Sequence, residues 1–87
     1  MSELKEQFEK ASVAVKSLAE RPDDNTMLQL YALYKQGASG DVSGPKPGFF
    51  DFVGSAKYEA WGKLAGTSAE DAQQQYVTLV SKLGVEV

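Results

Sequence analysis

Tyr31, Tyr34 and Lys35 form the densest grouping of chemically useful side chains in this sequence, with Lys57 and Tyr76 offering the same groups further along. Phenols and ammoniums are donors for charge-assisted hydrogen bonds, so they suit holding an anionic group better than breaking a bond. Each also has a plainer reading. A Tyr in an apolar stripe is usually core with its hydroxyl at the rim, and a helical Lys is usually solvated. Spacing alone does not gather all five at one site.

Bond-making chemistry has little to work with. There is no Cys and no His, which removes disulfides, thiolates, histidine bases and the usual zinc sets. No phosphate-cradling G-x-x-x-x-G-K, no G-x-G-x-x-G, no G-x-S-x-G elbow and no calcium-loop spacing occurs. The adjacent acids Asp23-Asp24 and Glu70-Asp71 stand at expected helix starts, where the helix dipole favours negative charge, so they read as caps rather than acid-base pairs.

Eighty-seven residues, 43% hydrophobic and 24% charged, are the balance of one soluble globular domain over residues 1–87. A net charge of -3, spread along the chain, lacks the basic footprint of a nucleic-acid binder. No apolar run is long enough to span a membrane. The opening Met-Ser-Glu-Leu-Lys-Glu is acidic where a signal peptide is basic and then apolar, so a cytoplasmic protein is expected.

The elements that must position the donors are helical throughout. Leu4, Phe8, Ala11, Val15 and Leu18 follow helical spacing and predict helix one, capped by Ser2 and Glu3 and ending near Glu20. Phe8, Ser12 and Lys16 lie four apart on one flank of it, which lets Lys16 reach a ligand or snorkel into water. Arg21-Pro22-Asp23-Asp24-Asn25 is a breaker with capping residues, and helix two follows from Asp24 to Ala38. At about 100° per residue, this helix carries Leu30, Leu33 and Gly37 on one arc and Leu28, Tyr31, Tyr34, Lys35 and Ala38 on another. The second arc is expected to border a groove.

Gly40 to Gly48, with three Gly and two Pro, predicts a loop that is long for a small bundle. Asp51 is expected to cap helix three from Phe52 to Leu64, with Tyr58, Trp61, Leu64 and Ala65 on its apolar side and Gly66 closing it. Thr67-Ser68-Ala69-Glu70 reads as a capping box opened by Thr67. Helix four then runs through Ala72, Tyr76, Leu79, Val80 and Leu83 to a stop at Gly84.

The succession M-L-x-x-Y-x-x-Y-K-Q at 27–36, G-D at 40–41, K-P-G at 46–48, D-F at 51–52, A-K-Y-x-A-W at 56–61 and G-T-S-x-E-D-A at 66–72 resembles the acyl-coenzyme A binding proteins. The likeness is nearly gapless, runs over almost the whole chain and includes Phe8, Lys16, Pro22 and Tyr76. It implies an all-α four-helix bundle of up-down-down-up order, with a long crossover between helices two and three. It also implies a carrier and pool former for long-chain acyl-CoA, with no catalytic residue, no metal and no cofactor beyond the fatty acyl-CoA ligand. The implied ligand residues are Lys16, Tyr31 with the following Ala32 and Leu33, Tyr34, Lys35, Lys57 and Tyr76. Enzymes that make or consume acyl-CoA are the implied partners. Val53 and Ser55 depart from the pattern, standing where many members carry lysines, and Tyr58 stands for a common Trp.

Two other readings compete. A helical interaction module could use the same aromatic groove for a partner helix, which leaves Lys35 and Lys57 unexplained. Acyl hydrolysis or transfer needs a nucleophile and a base that the sequence lacks. A monomer is expected, since no long heptad seam is present.

Overall fold

A computed structural model of the chain describes residues 3–18 and 20–84. Four helices make up the fold: α1 (Glu3–Ala14), α2 (Asp24–Ser39), α3 (Phe52–Gly62) and α4 (Ala69–Lys82), and no strand occurs among the described residues. The long crossover between α2 and α3 is that of an up-down-down-up bundle, with α2 packed on α3 and α4, and α4 packed on α1.

The starts of α2, α3 and α4 each have a local cause. The Asp23 carboxylate accepts from the Thr26 N–H at 2.7 Å and so satisfies one of the amides left free at the start of α2. Asp51 does the same for the Gly54 N–H at 2.9 Å. At α4 the cap is Ser68, whose hydroxyl accepts from the Asp71 N–H at 3.1 Å, one residue later than the Thr67 cap expected from the sequence. Thr67 is occupied elsewhere: its N–H donates to Leu64 O and its carbonyl accepts from Gln36.

The ends of α1 and α3 also fall short of expectation. The α1 helix stops at Ala14, a 3-10 turn covers Val15–Ser17, and Leu18 is extended, so helix one does not reach Glu20. β-branched Val13 and Val15 and the backbone-competing Ser17 make this last turn a poor α-helix. The expected Ser2 cap lies outside the described residues. After Gly62, α3 gives way to i+3 bonds from Leu64 to Trp61 and from Ala65 to Gly62, and Ala65 faces water rather than the apolar side.

The core lies between α1, α2 and α4. Phe8, Ala11, Leu30, Leu33, Ala72, Tyr76, Val77 and Val80 are buried together, with Leu4, Val15, Leu64, Leu79 and Leu83 packed around them. Gly37 makes the closest crossing possible. A Cβ there would stand 2.9 Å from Cγ of Gln73 and 3.1 Å from Cζ of Phe8, so α1 and α4 both rest on bare α2 backbone. Gln73 secures the contact by donating to Gly37 O at 2.9 Å.

A second, polar junction sits where α2 meets the crossover. Gln36 is fully buried, and its Nε2 donates to Asp41 Oδ1 and to Thr67 O, both at 2.8 Å. Asp41 Oδ1 also accepts from the Gly66 N–H at 2.9 Å. The crossover is pinned further by Trp61 Nε1 donating to Gly40 O at 2.8 Å, by the Tyr58 hydroxyl donating to Gly44 O at 2.9 Å, and by the Lys46–Glu59 ion pair at 3.8 Å.

Leu33→Ala removes packing from the apolar core and is expected to lower stability by about 2 to 5 kcal/mol in denaturant unfolding. A loss below about 1 kcal/mol would show that the core does not depend on this face of α2.

Acid unfolding tests the polar junction. The Gly66 N–H, and after it the Gln36 amide, hold the Asp41 carboxyl below its ordinary 3.8. A depressed carboxyl stabilises the fold at pH above its unfolded value, and that contribution disappears as pH drops from 3.8 through the lower folded value. Asp41→Asn should therefore show a shallower loss of stability over that window than the parent chain. Identical acid limbs in a pH series of unfolding curves would remove Asp41 from the junction.

Candidate functional site

Helix α2 presents its donors to two different neighbours. Toward α3, the side chains of the two helices cross over in pairs: Lys35 Nζ lies 4.9 Å from the ring centroid of Trp61, and Lys57 Nζ lies 5.3 Å from that of Tyr31. Each ammonium is thus supported by an aromatic face on the opposite helix. Such contacts are worth about 0.5 to 1 kcal/mol near the surface, enough to orient a cation but not to neutralise it. Among the described residues neither Lys35 nor Lys57 has a carboxylate partner. Both ammoniums therefore lie at the α2–α3 boundary, and no described carboxylate pairs with either.

Toward α1 and α4, the aromatic rings pack on one another. Phe8 stacks on Tyr34 at 5.3 Å with an interplanar angle of 24°, meets Tyr76 edge to face at 5.3 Å, and Tyr34 and Tyr76 are 5.9 Å apart. Tyr76 is buried while Tyr34 remains 40% exposed, so this triad runs from the core to the surface. Burial pushes the Tyr76 phenol above its ordinary value, and Tyr34 beside it adds to the shift. The phenol stays protonated and available as a hydrogen-bond donor.

The expected ligand residues therefore divide. Tyr31, Lys35 and Lys57 come together between α2 and α3, Tyr34 and Tyr76 come together above Phe8, and α2 joins the two groups. Ala32 and Leu33 are buried, Leu33 within the core. Leu33 also edges a shallow cavity of about 280 Å³ between α2 and α4, whose other walls are Gln29, Gln74, Gln75, Thr78, Leu79 and Lys82. Lys16 lies exposed on the 3-10 turn after α1, and no described hydrogen bond, ion pair or ring contact brings it to the other donors.

Sequence reasoning missed the support beneath this site. Trp61 appeared as an apolar-stripe residue, yet it carries Lys35 on its face while its N–H ties down the crossover. Gln36 enters the sequence reading only as the last residue of the 27–36 motif, with no role attached. Its place beside Lys35, four residues before the expected Gly40-Asp41 turn, is the only hint that the sequence offers.

No group of carboxylates that could hold a metal ion occurs among the described residues, and no helix there is long and apolar enough to cross a membrane. What the geometry can do is bind: phenols and unneutralised ammoniums line a surface beside a bundle core.

Comparison with known proteins bears on the family and the fold. The family profile described as acyl CoA binding protein matches residues 5–80. The chain is 52% identical over 80 residues to an acyl-CoA-binding protein homolog of Drosophila melanogaster, covering 92% of this chain and 93% of that one. It is 47% identical over 83 residues to enoyl-CoA delta isomerase 2 of Rattus norvegicus, but spans only 21% of that protein. Among solved structures, acyl-CoA-binding protein 2 of Oryza sativa superposes with a TM-score of 0.87 at 36% identity, covering 92% of this chain and 89% of that one. With a family match from residue 5 to residue 80 and a relative more than half identical over nearly its full length, this chain belongs to the acyl-CoA binding protein family.

Proposed function

We propose that this chain binds long-chain acyl-CoA thioesters and serves as a cytoplasmic, monomeric carrier and pool former for them, delivering acyl-CoA between the enzymes that make and use it. The observation that carries the reading is the pair of ammoniums, Lys35 and Lys57, seated on the rings of Trp61 and Tyr31 with no carboxylate partner among the described residues. A lysine pair that the protein itself leaves uncompensated is suited to a phosphorylated ligand.

In this reading Tyr31, Lys35 and Lys57 hold the 3′-phosphate of coenzyme A, and Tyr34 and Tyr76 contribute phenol donors beside the nucleotide. Lys16 joins them from the turn after α1, and Ala32 and Leu33 belong to the wall of α2 behind the ligand. The head and the tail of such a ligand contribute in different ways. Hiding a 16-carbon acyl chain from water is worth up to roughly 11 kcal/mol, at about 0.8 kcal/mol per methylene, and less where the groove stays open. Hydrogen bonds to a charged phosphate contribute about 1.5 to 3 kcal/mol each. Tail burial sets affinity without regard to what the chain is attached to; the head contacts select a CoA thioester.

Binding affinity should accordingly rise with acyl chain length and then level once the groove is filled, while free fatty acids of the same length bind far more weakly. Titration calorimetry over a series of saturated acyl-CoAs and the matching acids tests this. Equal affinity for acid and thioester would point to a general lipid binder.

Removing the 3′-phosphate isolates the lysine pair. A dephospho analogue of a long-chain acyl-CoA should bind about a hundredfold more weakly than the parent ligand, with the gap narrowing at high salt. On Lys57→Ala the two ligands should differ much less, because the contact is already missing, while thermal stability stays within about 1 kcal/mol of the parent chain. If the unsubstituted protein binds both ligands alike, these residues do not read the phosphate, even if acyl-CoA binding survives.

A further inference from the structure

One aromatic ring makes two contacts at the α2–α3 boundary that pull in different directions. Trp61 is the only tryptophan of the chain and the one buried residue of α3, at 6% exposure. Its face lies under Lys35 Nζ at 4.9 Å, while its edge donates from Nε1 to Gly40 O at 2.8 Å. An indole has a single N–H, so the bond to Gly40 leaves it no donor for a ligand. Whatever Trp61 does for an anion it does through Lys35.

Lys35 needs such a support. It is half-buried, and among the described residues no carboxylate pairs with it. A partly desolvated ammonium without a counter-ion is costly unless electron density faces it, and the indole face is the best of the aromatic surfaces for that. The ring itself is held in place. Gly40 O fixes its edge, and Asp41, the next residue, takes the Gly66 N–H and the Gln36 amide. Lys57 has a looser support, since it is exposed and the hydroxyl of the Tyr31 ring beneath it makes no described hydrogen bond. A long lysine side chain loses rotamer freedom when it closes on a phosphate, and Lys35 has already lost part of it on the ring.

We propose that Trp61 is the positioning residue of the phosphate site: its indole face sets the Lys35 ammonium where a phosphate oxygen is to be met, and its N–H fastens that face to the crossover. This role rests on the reading of Lys35 as a ligand of the 3′-phosphate, and it adds a residue that touches no ligand itself. Substitution separates the two contacts. Trp61→Leu removes face and donor together, whereas Trp61→Phe removes the donor and keeps an aromatic face beneath Lys35.

Titration calorimetry of a long-chain acyl-CoA and its dephospho analogue on the parent chain and on both variants gives each protein a discrimination ratio, with thermal melts to show that it is folded. A general loss of packing weakens both ligands alike and leaves that ratio unmoved. Trp61→Leu should lower it about fivefold, and Trp61→Phe should restore most of the loss although its crossover bond is gone too. Proton NMR of the parent chain needs no substitution. The Lys35 side-chain methylenes should lie upfield in the indole ring current and stay there when coenzyme A is added. Equal ratios in all three proteins, a loss in Trp61→Phe as large as in Trp61→Leu, or Lys35 signals that leave the ring current with coenzyme A overturn the proposal. If Trp61→Leu does not fold, the NMR signature decides alone. A parent chain that binds both ligands alike overturns the phosphate reading and this role with it, whereas discrimination by the parent chain together with any of those results overturns this role only.

Discussion

The arrangement of this fold turns on one buried amide. Gln36 shares its two N–H groups between Asp41 and the Thr67 carbonyl, and Asp41 in turn takes the Gly66 N–H. The end of α2, the start of the crossover and the turn between α3 and α4 therefore meet at one side chain. A wholly apolar residue there could fill the space, but it would leave the Thr67 carbonyl without this donor and Asp41 with one fewer. The orientation of the amide follows from its neighbours, since two acceptors face the nitrogen. Its oxygen has no partner among the described residues, so this junction stabilises by position more than by complete hydrogen bonding.

Placement of the site follows from that junction. Lys35 precedes Gln36 in the chain and Trp61 donates to Gly40, the residue before Asp41, so the amide that fastens the crossover also sets the ring on which Lys35 rests. The α3 helix buries one large side chain, Trp61, and depends on hydrogen bonds to the crossover for the rest of its anchorage. This is why the α2–α3 boundary can carry cations, Lys57 exposed and Lys35 half-buried, while the α1–α2–α4 side is closed by a packed core. Separate arcs of α2 serve the two purposes: Leu30, Leu33 and Gly37 for packing, Tyr31, Tyr34 and Lys35 for the surface.

Helical periodicity and capping chemistry were enough to read α2 from Asp24, the Asp51 cap, the α4 stripe and the Gly84 stop, because these are local effects of side chains on their own backbone. The misplaced features are tertiary. Thr67 and Ser68 are equivalent caps by residue type, and Gln36, thirty-one positions away, decides between them by claiming the Thr67 carbonyl. Helix one was read too long because its apolar spacing continues through Leu18 after the backbone has left the α conformation. For the site, spacing recovered which residues share a face of α2. It had no means of pairing Lys35 with Trp61 or Lys57 with Tyr31, since those contacts depend on how α3 is docked.

The charge distribution has a consequence for how an anion would be held. With twelve acidic and nine basic residues the whole chain repels an anionic ligand at long range, and screening confines any attraction to about 8 to 10 Å at ordinary salt. Val53 and Ser55 add no positive charge to the α3 surface beside Lys57. In the proposed reading, selectivity for a phosphate rests on short-range geometry, that is, on two ammoniums already oriented by aromatic faces and on the Tyr76 phenol, whose proton burial keeps in place. Preorganisation of this kind lowers the entropy lost when long lysine side chains are immobilised, about 0.5 to 1.5 kcal/mol for each. It also makes the site depend on Trp61 and Tyr31 as platforms, so that the aromatic residues of the α2–α3 boundary matter to anion recognition even where they touch no anion themselves.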